Sequence, residues 1–131
     1  MIDPAELDLA PELGSASYRI GVIGAGGIVR ASHLPAYKSV GWDVVRIASR
    51  TMEAARAAAD EFEIPAASDD FGDVIADEAV DVVDISLPPH LQREVAEAAF
   101  AAGKHVLIQK PMATTLDEAE AIVIAALALS A

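Results

Sequence analysis

The stretch that decides the fold lies near the amino terminus and reads Tyr18-Arg19-Ile20-Gly21-Val22-Ile23-Gly24-Ala25-Gly26-Gly27-Ile28-Val29. Its first half is rich in branched apolar residues, which predicts a buried strand. Gly24 permits the tight turn that follows, and Gly26 leaves room for an anion beside the free N–H groups of a helix N-terminus. Gly24 and Gly26 are the first two positions of a Gly-x-Gly-x-x-Gly pattern. Val29 occupies its third position, where glycine or alanine is usual, so we expect looser or shifted packing of the helix on the strand there. The stretch predicts a strand, a pyrophosphate-binding turn and a helix.

Short apolar runs alternate with helical patterns along the remaining chain. The predicted strands cover residues 18–23, 43–48, 80–86 and 105–109, with a weaker candidate at 64–67. The predicted helices cover residues 26–39, 52–62, 71–76, 89–102 and 116–129, and the fourth presents Leu91, Val95, Ala98 and Ala102 as its buried stripe. Strands that are apolar on both faces are typical of a covered parallel sheet. The alternation therefore predicts an α/β fold with a doubly wound parallel sheet, the Rossmann type.

Composition limits the partners and the chemistry. The chain has 131 residues, enough for one domain, and 21 acidic against 9 basic residues give a formal charge of −12. This balance argues against nucleic acid or an anionic membrane as the main partner. The chain has no cysteine, which excludes disulfides and thiolate chemistry. The beginning of the chain resembles no secretory signal and residues 121–131 are too few to cross a bilayer, so we expect a cytoplasmic protein.

Acidic residues are concentrated in two places. Residues 1–17 carry four acids and no base, and we interpret them as a flexible acidic tail preceding a domain at 18–131. Residues 60–84 carry ten acids and no base, which favours a solvated face over a metal site. His33, His90 and His105 show no metal-ligand spacing, so we expect no metal and interpret each as a surface or packing histidine.

The end of the second predicted strand bears on the choice of nucleotide. An NAD site usually has an acidic residue there, which binds the ribose 2′-hydroxyl. This chain has Ser49, Arg50 and Thr51 instead, a set of donors that suits a 2′-phosphate. We therefore predict that NADP(H) is preferred over NAD(H). The alternative is that Arg50 is a solvated loop residue that pairs with Glu53.

Four segments together resemble the Gfo/Idh/MocA oxidoreductases, over about residues 18–129. They are Gly24-Ala25-Gly26-Gly27-Ile28, Ser32-His33-Leu34-Pro35, Leu87-Pro88-Pro89-His90 and the run from Ala102 to Pro111. The resemblance implies that Gly24, Ala25, Gly26, Gly27 and Ile28 line the pyrophosphate. It also implies that Leu87, Pro88 and Pro89, with His90 beside them, pack along the adenosine and the nicotinamide ribose.

The resemblance also suggests a catalytic group. The Glu-Lys-Pro signature of the family aligns with Gln109-Lys110-Pro111, so Lys110 would lie between the nicotinamide ribose and the substrate hydroxyl and relay a proton. Without the resemblance, Lys110 would be an ordinary lysine at a strand end. Two positions differ from the family: Gln109 replaces the glutamate, and Gln92 stands where many members have histidine. The Lys110–Pro111 bond is a candidate cis peptide.

The family has two domains, and this sequence corresponds to the first. We therefore expect a chain truncated before the sixth strand and the substrate domain, with a possible homo-oligomer through the apolar helix face Leu116, Ile122, Val123 and Leu127. The full-length enzyme would transfer hydride between NADP(H) or NAD(H) and a sugar-like or cyclitol alcohol. The alternatives are a catalytically silent dinucleotide-binding or sensing module and an S-adenosylmethionine domain, although the latter also favours an acid at the second strand end.

Overall fold

The structure is a computed structural model that describes Asp3, Gly14 and residues 17–129. Its strands are β1 (Arg19–Ile23), β2 (Asp43–Ala48), β3 (Ala67–Ser68), β4 (Val82–Ile85) and β5 (His105–Ile108). Its α-helices are α1 (Leu34–Val40), α2 (Met52–Phe62), α3 (Phe71–Ala76), α4 (Pro89–Ala101) and α5 (Leu116–Ala128). Apart from Asp3, Gly14 and Ser17, the predicted acidic tail lies outside the described residues.

The five strands form one parallel sheet in the order β3-β2-β1-β4-β5, which confirms the predicted doubly wound topology. Buried residues of α1 and α2 pack on one face, and those of α3, α4 and α5 pack on the other. The chain winds from β1 outward to β3 and then crosses to β4 on the other side of β1. Parallel sheets of this kind bind ligands at the carboxyl ends of the strands where the winding reverses, here between β1 and β4.

The helix after the glycine turn has an irregular first part. A π-helical turn at Val29–His33 runs directly into α1, and the Leu34 N–H donates to the Val29 carbonyl. Val29 is fully buried at the start of this turn. Val29 therefore lies in the core at the start of a wider helical turn, and the looser or shifted packing expected at this position stays a prediction.

Helix α4 is rotated relative to the predicted stripe. Its buried residues are Gln92, Ala96 and Ala99, whereas Leu91 is 40% exposed. The prediction placed the hydrophobic residues inside and was one residue out of register, because a fully buried glutamine with satisfied hydrogen bonds occupies the core position. The strand predictions were also too long at β4, since Val80 closes a turn with the Asp77 carbonyl before the strand begins.

The loop of residues 77–81, at the amino end of β4, accepts hydrogen bonds from three basic side chains. Arg19 forms a bidentate pair with Asp81 at 3.1 Å, and Arg46 Nε donates to Asp77 at 2.8 Å. Lys104 Nζ donates to the backbone carbonyls of Asp77 and Val80, at 2.8 and 2.7 Å. The hydrogen bonds from Arg46 and Arg19 lower the pKa values of the Asp77 and Asp81 carboxyl groups. Several acids of residues 60–84 therefore have structural partners, and the prediction of a solvated face holds only in part.

Helix α5 leaves most of its apolar face uncovered by the described residues. Leu116, Val123 and Leu127 are 72%, 47% and 64% exposed, as the sequence suggested, and Ile124 joins them at 66%. Ile122 was assigned to the same face, but it is buried in the core cluster that also contains Ala96 and Ala99 of α4. Among the helices the structure describes, none combines the length and the apolar character that crossing a bilayer would require.

Candidate functional site

The glycine turn after β1 is closely packed on one side and open on the other. Gly24 has a φ of +108°, its N–H donates to the Ala48 carbonyl at 2.8 Å, and a Cβ there would lie 2.2 Å from the Ser86 carbonyl oxygen. A Cβ at Gly26 or Gly27 would meet no atom within 4 Å. Gly24 is therefore required for the turn, while Gly26 and Gly27 leave space where a ligand can approach the backbone.

A crevice of about 460 Å³ opens at this turn, over the carboxyl ends of β1, β2 and β4. Its lining brings together three predicted segments: the glycine turn, the tip of β2 and the segment after β4. The lining residues are Gly24, Ala25, Gly26, Ser49, Arg50, Phe71, Ser86, Leu87, Pro88 and Leu91. Phe71, Ser86 and Leu91 were missed from the sequence. Ser86 had a detectable signal, because it is the last residue of a predicted strand, at the edge where ligands bind.

Some residues that were predicted to contact the cofactor do not line this crevice, namely Gly27, Ile28, Thr51, Pro89 and His90. Gly27 and Ile28 begin the helix and are exposed. The Thr51 hydroxyl caps α2 by accepting the Ala54 N–H at 3.2 Å, so its oxygen is engaged locally. Pro89 is the first residue of α4, and His90 is exposed in the same turn.

Arg50 is exposed at the tip of β2 and faces the crevice. Within residues 17–129, no ion pair joins it to Glu53, the alternative partner considered from the sequence. Ser49 beside it is fixed by a hydrogen bond from its N–H to the Ser68 carbonyl at 3.1 Å. The tip thus presents one guanidinium and one hydroxyl to the same side of the sheet.

The segment after β5 is tied to the segment after β4 by Gln92. Its Nε2 donates to the carbonyls of Gln109 and Pro111, both at 2.9 Å, with Met112 O at 3.3 Å, and its Oε1 accepts the Leu87 N–H at 3.3 Å. The Lys110–Pro111 peptide is cis, as suggested from the sequence. Lys110 itself is exposed, and its N–H donates to Gln109 Oε1 at 2.8 Å. Gln92 therefore sets the spacing between two segments that the sequence assigned to one site.

A polar network lies beneath Gln109. The Asp84 carboxylate is fully buried, with His33 Nδ1 at 2.7 Å and the Tyr37 hydroxyl at 2.6 Å, and His33 Nε2 lies 2.9 Å from Gln109 Nε2. Burial and the hydrogen bond to Asp84 raise the pKa of Tyr37 well above its ordinary value. Two interpretations are thereby corrected: Asp84 is not part of a solvated face, and His33 is neither a surface nor a merely packed histidine. In the described part of the chain, no three acidic or histidine side chains form a metal-binding group.

This geometry agrees with a comparison of the sequence against protein families. Residues 18–130 match the model of GFO_IDH_MocA, described as an oxidoreductase family with an NAD-binding Rossmann fold. The chain belongs to the Gfo/Idh/MocA family. The match covers both the glycine turn and the Gln109-Lys110-Pro111 segment. A nicotinamide dinucleotide is therefore the class of cofactor for which the fold is built.

Individual Gfo/Idh/MocA relatives are sugar-active enzymes. The chain is 39% identical over 108 residues to the 1,5-anhydro-D-fructose reductase of Ensifer adhaerens, which covers 82% of this chain and 32% of the reductase. A 3-ketoreductase from Actinomadura kijaniata, solved with NADP and TDP-benzene, superposes with a TM-score of 0.81 at 31% identity, covering 87% of this chain and 35% of that one. A levoglucosan dehydrogenase solved with NADH and L-sorbose gives 0.80 at 34% identity, covering 85% and 32%.

The chain spans about a third of the length of the curated relatives it matches. The part of this chain that matches the family model, residues 18–130, is described there as an NAD-binding Rossmann fold. Within that match, the amide of Gln109 is engaged on two sides, by Lys110 and by His33.

Proposed function

We propose that this chain binds NADP(H) in preference to NAD(H) and forms the cofactor-binding part of an oxidoreductase that interconverts a sugar-like or cyclitol alcohol and its carbonyl form. The observation that carries the proposal is the crevice that unites the glycine turn, Arg50 and the Leu87–Pro88 segment. The family match supports a dinucleotide there, and the sugar-active relatives support the substrate class.

The residues present suit a dinucleotide. Gly24, Ala25, Gly26, Gly27 and Ile28 would surround the pyrophosphate, since a side chain at Gly26 or Gly27 would fill space that is now open. Leu87 and Pro88, with Phe71 and Leu91, give the crevice an apolar wall suited to adenosine. Pro89 and His90 continue this segment into α4, beside the ribose in the proposed pose. Each of these roles is part of the proposal.

The preference for NADP(H) rests on the tip of β2. Arg50 and Ser49 offer charged and neutral donors to a 2′-phosphate, and Thr51 adds its backbone N–H to the same turn. None of the described residues at the tip of β2 is acidic, so no carboxylate there would repel that phosphate. A hydrogen bond to a charged group contributes about 1.5–3 kcal/mol. Loss of Arg50 should therefore weaken NADPH binding roughly 10- to 100-fold.

Fluorescence titration of NADPH and NADH against this chain tests the preference. In Arg50→Ala we expect the affinity for NADPH to fall while that for NADH changes less than about twofold. Arg56→Ala, which removes an exposed arginine from α2, is the matched control and should leave both affinities unchanged. An unaltered NADPH preference in Arg50→Ala would sink this part of the proposal.

Lys110 is the proposed catalytic residue, with Gln109 beside it as a ligand of the nicotinamide ribose. The nicotinamide ring, when bound, supplies the site that accepts or donates hydride. The Lys110 ammonium would donate a hydrogen bond to the reacting oxygen and move a proton to or from it. In the full-length protein, Lys110→Ala should lower turnover of cyclic polyols at least about 100-fold, since general acid–base groups contribute roughly 10²–10⁴-fold.

A second candidate is a silent dinucleotide-binding or sensing module. Gln109 favours it, because the chain lacks the carboxylate that the family signature has at this position. The two candidates differ in one measurement. Cofactor binding without any turnover of polyols or sugars by the full-length protein would support the silent module, whereas turnover that depends on Lys110 would support the enzyme.

A further inference from the structure

The direction of the hydrogen bonds beneath Lys110 follows from one backbone group. The Lys110 N–H can only donate, so the Gln109 atom that receives it at 2.8 Å is the amide oxygen. The Gln109 Nε2 group therefore faces His33 Nε2, which must accept at 2.9 Å. The imidazole proton is then on Nδ1 and is donated to the Asp84 carboxylate 2.7 Å away. The chain of bonds runs from a buried anion to the residue beside the proposed catalytic lysine.

Asp84 is a firm anchor for this arrangement. Its side chain is fully buried in β4, where it also accepts the Tyr37 hydroxyl at 2.6 Å, with the Ser86 hydroxyl at 3.4 Å. The groups that face His33 are Asp84 from β4, Tyr37 from α1 in an edge-on ring contact, and Gln109 from the end of β5. Of these groups only Asp84 carries a full charge, so within residues 17–129 it is the ionic partner of the imidazole, while Gln109 is a neutral one.

The Gln109 amide retains capacity for a ligand. A primary amide has two N–H hydrogens and two oxygen lone pairs. The bonds to His33 and from Lys110 use one of each. One hydrogen and one lone pair remain. Together they complement a vicinal diol, in which one hydroxyl accepts a hydrogen bond and the other donates one. Gln109 is only partly buried, so a ligand can reach it.

We propose that Asp84 and His33 are positioning residues for the nicotinamide half of the cofactor. They orient the Gln109 amide so that its remaining hydrogen and lone pair face the ribose diol while its oxygen holds the Lys110 backbone. This inference rests on the proposed function of Gln109 and Lys110. It also gives a reason for glutamine at this position: a glutamate has no hydrogen to offer His33 Nε2, so the imidazole would have to carry a second proton between two carboxylates.

The first test compares two variants that each remove one partner of Asp84. His33→Phe removes the connection to Gln109, while Tyr37→Phe, the matched control, removes a bond to the same carboxylate and leaves that connection intact. Each variant is titrated with NADPH, which spans the whole site, and with ADP, which lacks the nicotinamide half. A neutral hydrogen bond lost at the ribose should weaken NADPH binding by about 3- to 10-fold in His33→Phe and leave ADP binding within about twofold. Tyr37→Phe should change neither affinity.

The inference fails if His33→Phe weakens ADP as much as NADPH, if it weakens neither, or if Tyr37→Phe has the same effect. The second test needs no cofactor and remains valid if the wild-type chain does not bind NADPH. Long-range ¹H–¹⁵N NMR spectra at pH 7 should show His33 with its proton on Nδ1 in the wild type and on both nitrogens in Gln109→Glu. A wild-type proton on Nε2, or an unchanged imidazole in Gln109→Glu, would overturn the assignment even if His33→Phe fails to fold.

Discussion

Replacing Gln92 should uncouple the two segments that build the site. The residue is fully buried in α4, and its amide bonds Leu87 on one side and Gln109 and Pro111 on the other. Gln92→Met keeps the length of the side chain and removes its hydrogen bonds. Gln92→Glu keeps the shape and places an oxygen where the Nε2 group now donates to two carbonyls. The two variants therefore separate the loss of the bonds from the addition of a buried charge.

The size of the effect follows from the bonds lost. Gln92→Met removes the contacts to Gln109 and Pro111 at 2.9 Å and those to Met112 and Leu87 at 3.3 Å. Because the Nε2 group has only two hydrogens, the contact to Met112 shares one of them, and the loss amounts to about three hydrogen bonds. At about 1 kcal/mol for each such bond, the free energy of unfolding should fall by about 3 kcal/mol. In a domain of this size that corresponds to a decrease in Tm of about 12 °C.

Gln92→Glu adds a dependence on pH. The protonated carboxyl can still donate one bond, whereas the ionised form is buried against carbonyl oxygens, so its pKa in the folded state is raised above the unfolded value. The destabilisation is then smallest below about pH 4 and grows as the pH rises through the folded pKa. Urea unfolding at pH 4 and pH 7 measures this difference.

Glu94→Gln, at an exposed position of the same helix, is the control and should unfold as the wild type does at both pH values. The reasoning is refuted if Gln92→Met melts within about 2 °C of the wild type, since that is less than the shift expected from one lost hydrogen bond. It is also refuted if Gln92→Glu shows no greater pH dependence than the control.

Further predictions concern the glycine turn and the loop before β4. Gly24→Ala should lower the Tm and remove NADPH binding, because its Cβ would lie 2.2 Å from the Ser86 carbonyl oxygen at a φ of +108°; Gly26→Ala, where space is open, should leave the Tm unchanged and reduce only the NADPH affinity. Equal melting temperatures for the two variants would contradict this. The hydrogen bond from Arg46 lowers the pKa of Asp77, so this carboxylate stabilises the fold above its unfolded pKa and loses that effect as the pH falls through the folded value. Asp77→Asn should therefore be less stable than the wild type at pH 7 and equally stable near pH 2 in urea unfolding.

The sequence predicts the fold well where periodicity and end signals agree. Helix α2 begins and ends at the predicted residues, since Thr51 caps its first turn and its buried alanines recur at helical spacing. Helix α4 shows where this fails. Its composition favoured Leu91 as a core residue, whereas the structure buries Gln92, because backbone groups from two distant segments satisfy the amide. Local hydrophobicity contains no information about such distant partners.

The candidate site also has one part that local motifs predict and another that depends on contacts between distant segments. The glycine turn and the tip of β2 are short, local motifs, and the structure brings Gly24, Gly26 and Arg50 to one crevice as the parallel topology requires. The bonds from His33 to Asp84 and Gln109 join residues 51 and 76 positions apart. The sequence marks Gln109 only as a departure from a family signature and gives His33 and Asp84 no special role, so the network could not be predicted without the register of β4 and β5.

The segments at the two ends of the sheet are held together by different kinds of interaction, and the loop of residues 77–81 is the reason. Three of the nine basic residues, Arg19, Arg46 and Lys104, converge on it at the amino ends of the strands. At the carboxyl ends, by contrast, Gln92 and Gln109 connect the segments through uncharged amides. Added salt screens the exposed Arg19–Asp81 pair and has little effect on hydrogen bonds made by amide groups. Ionic strength should therefore alter the free energy of unfolding while leaving the shape of the ligand crevice unchanged. The stability of the fold and the geometry of the crevice can thus be changed independently.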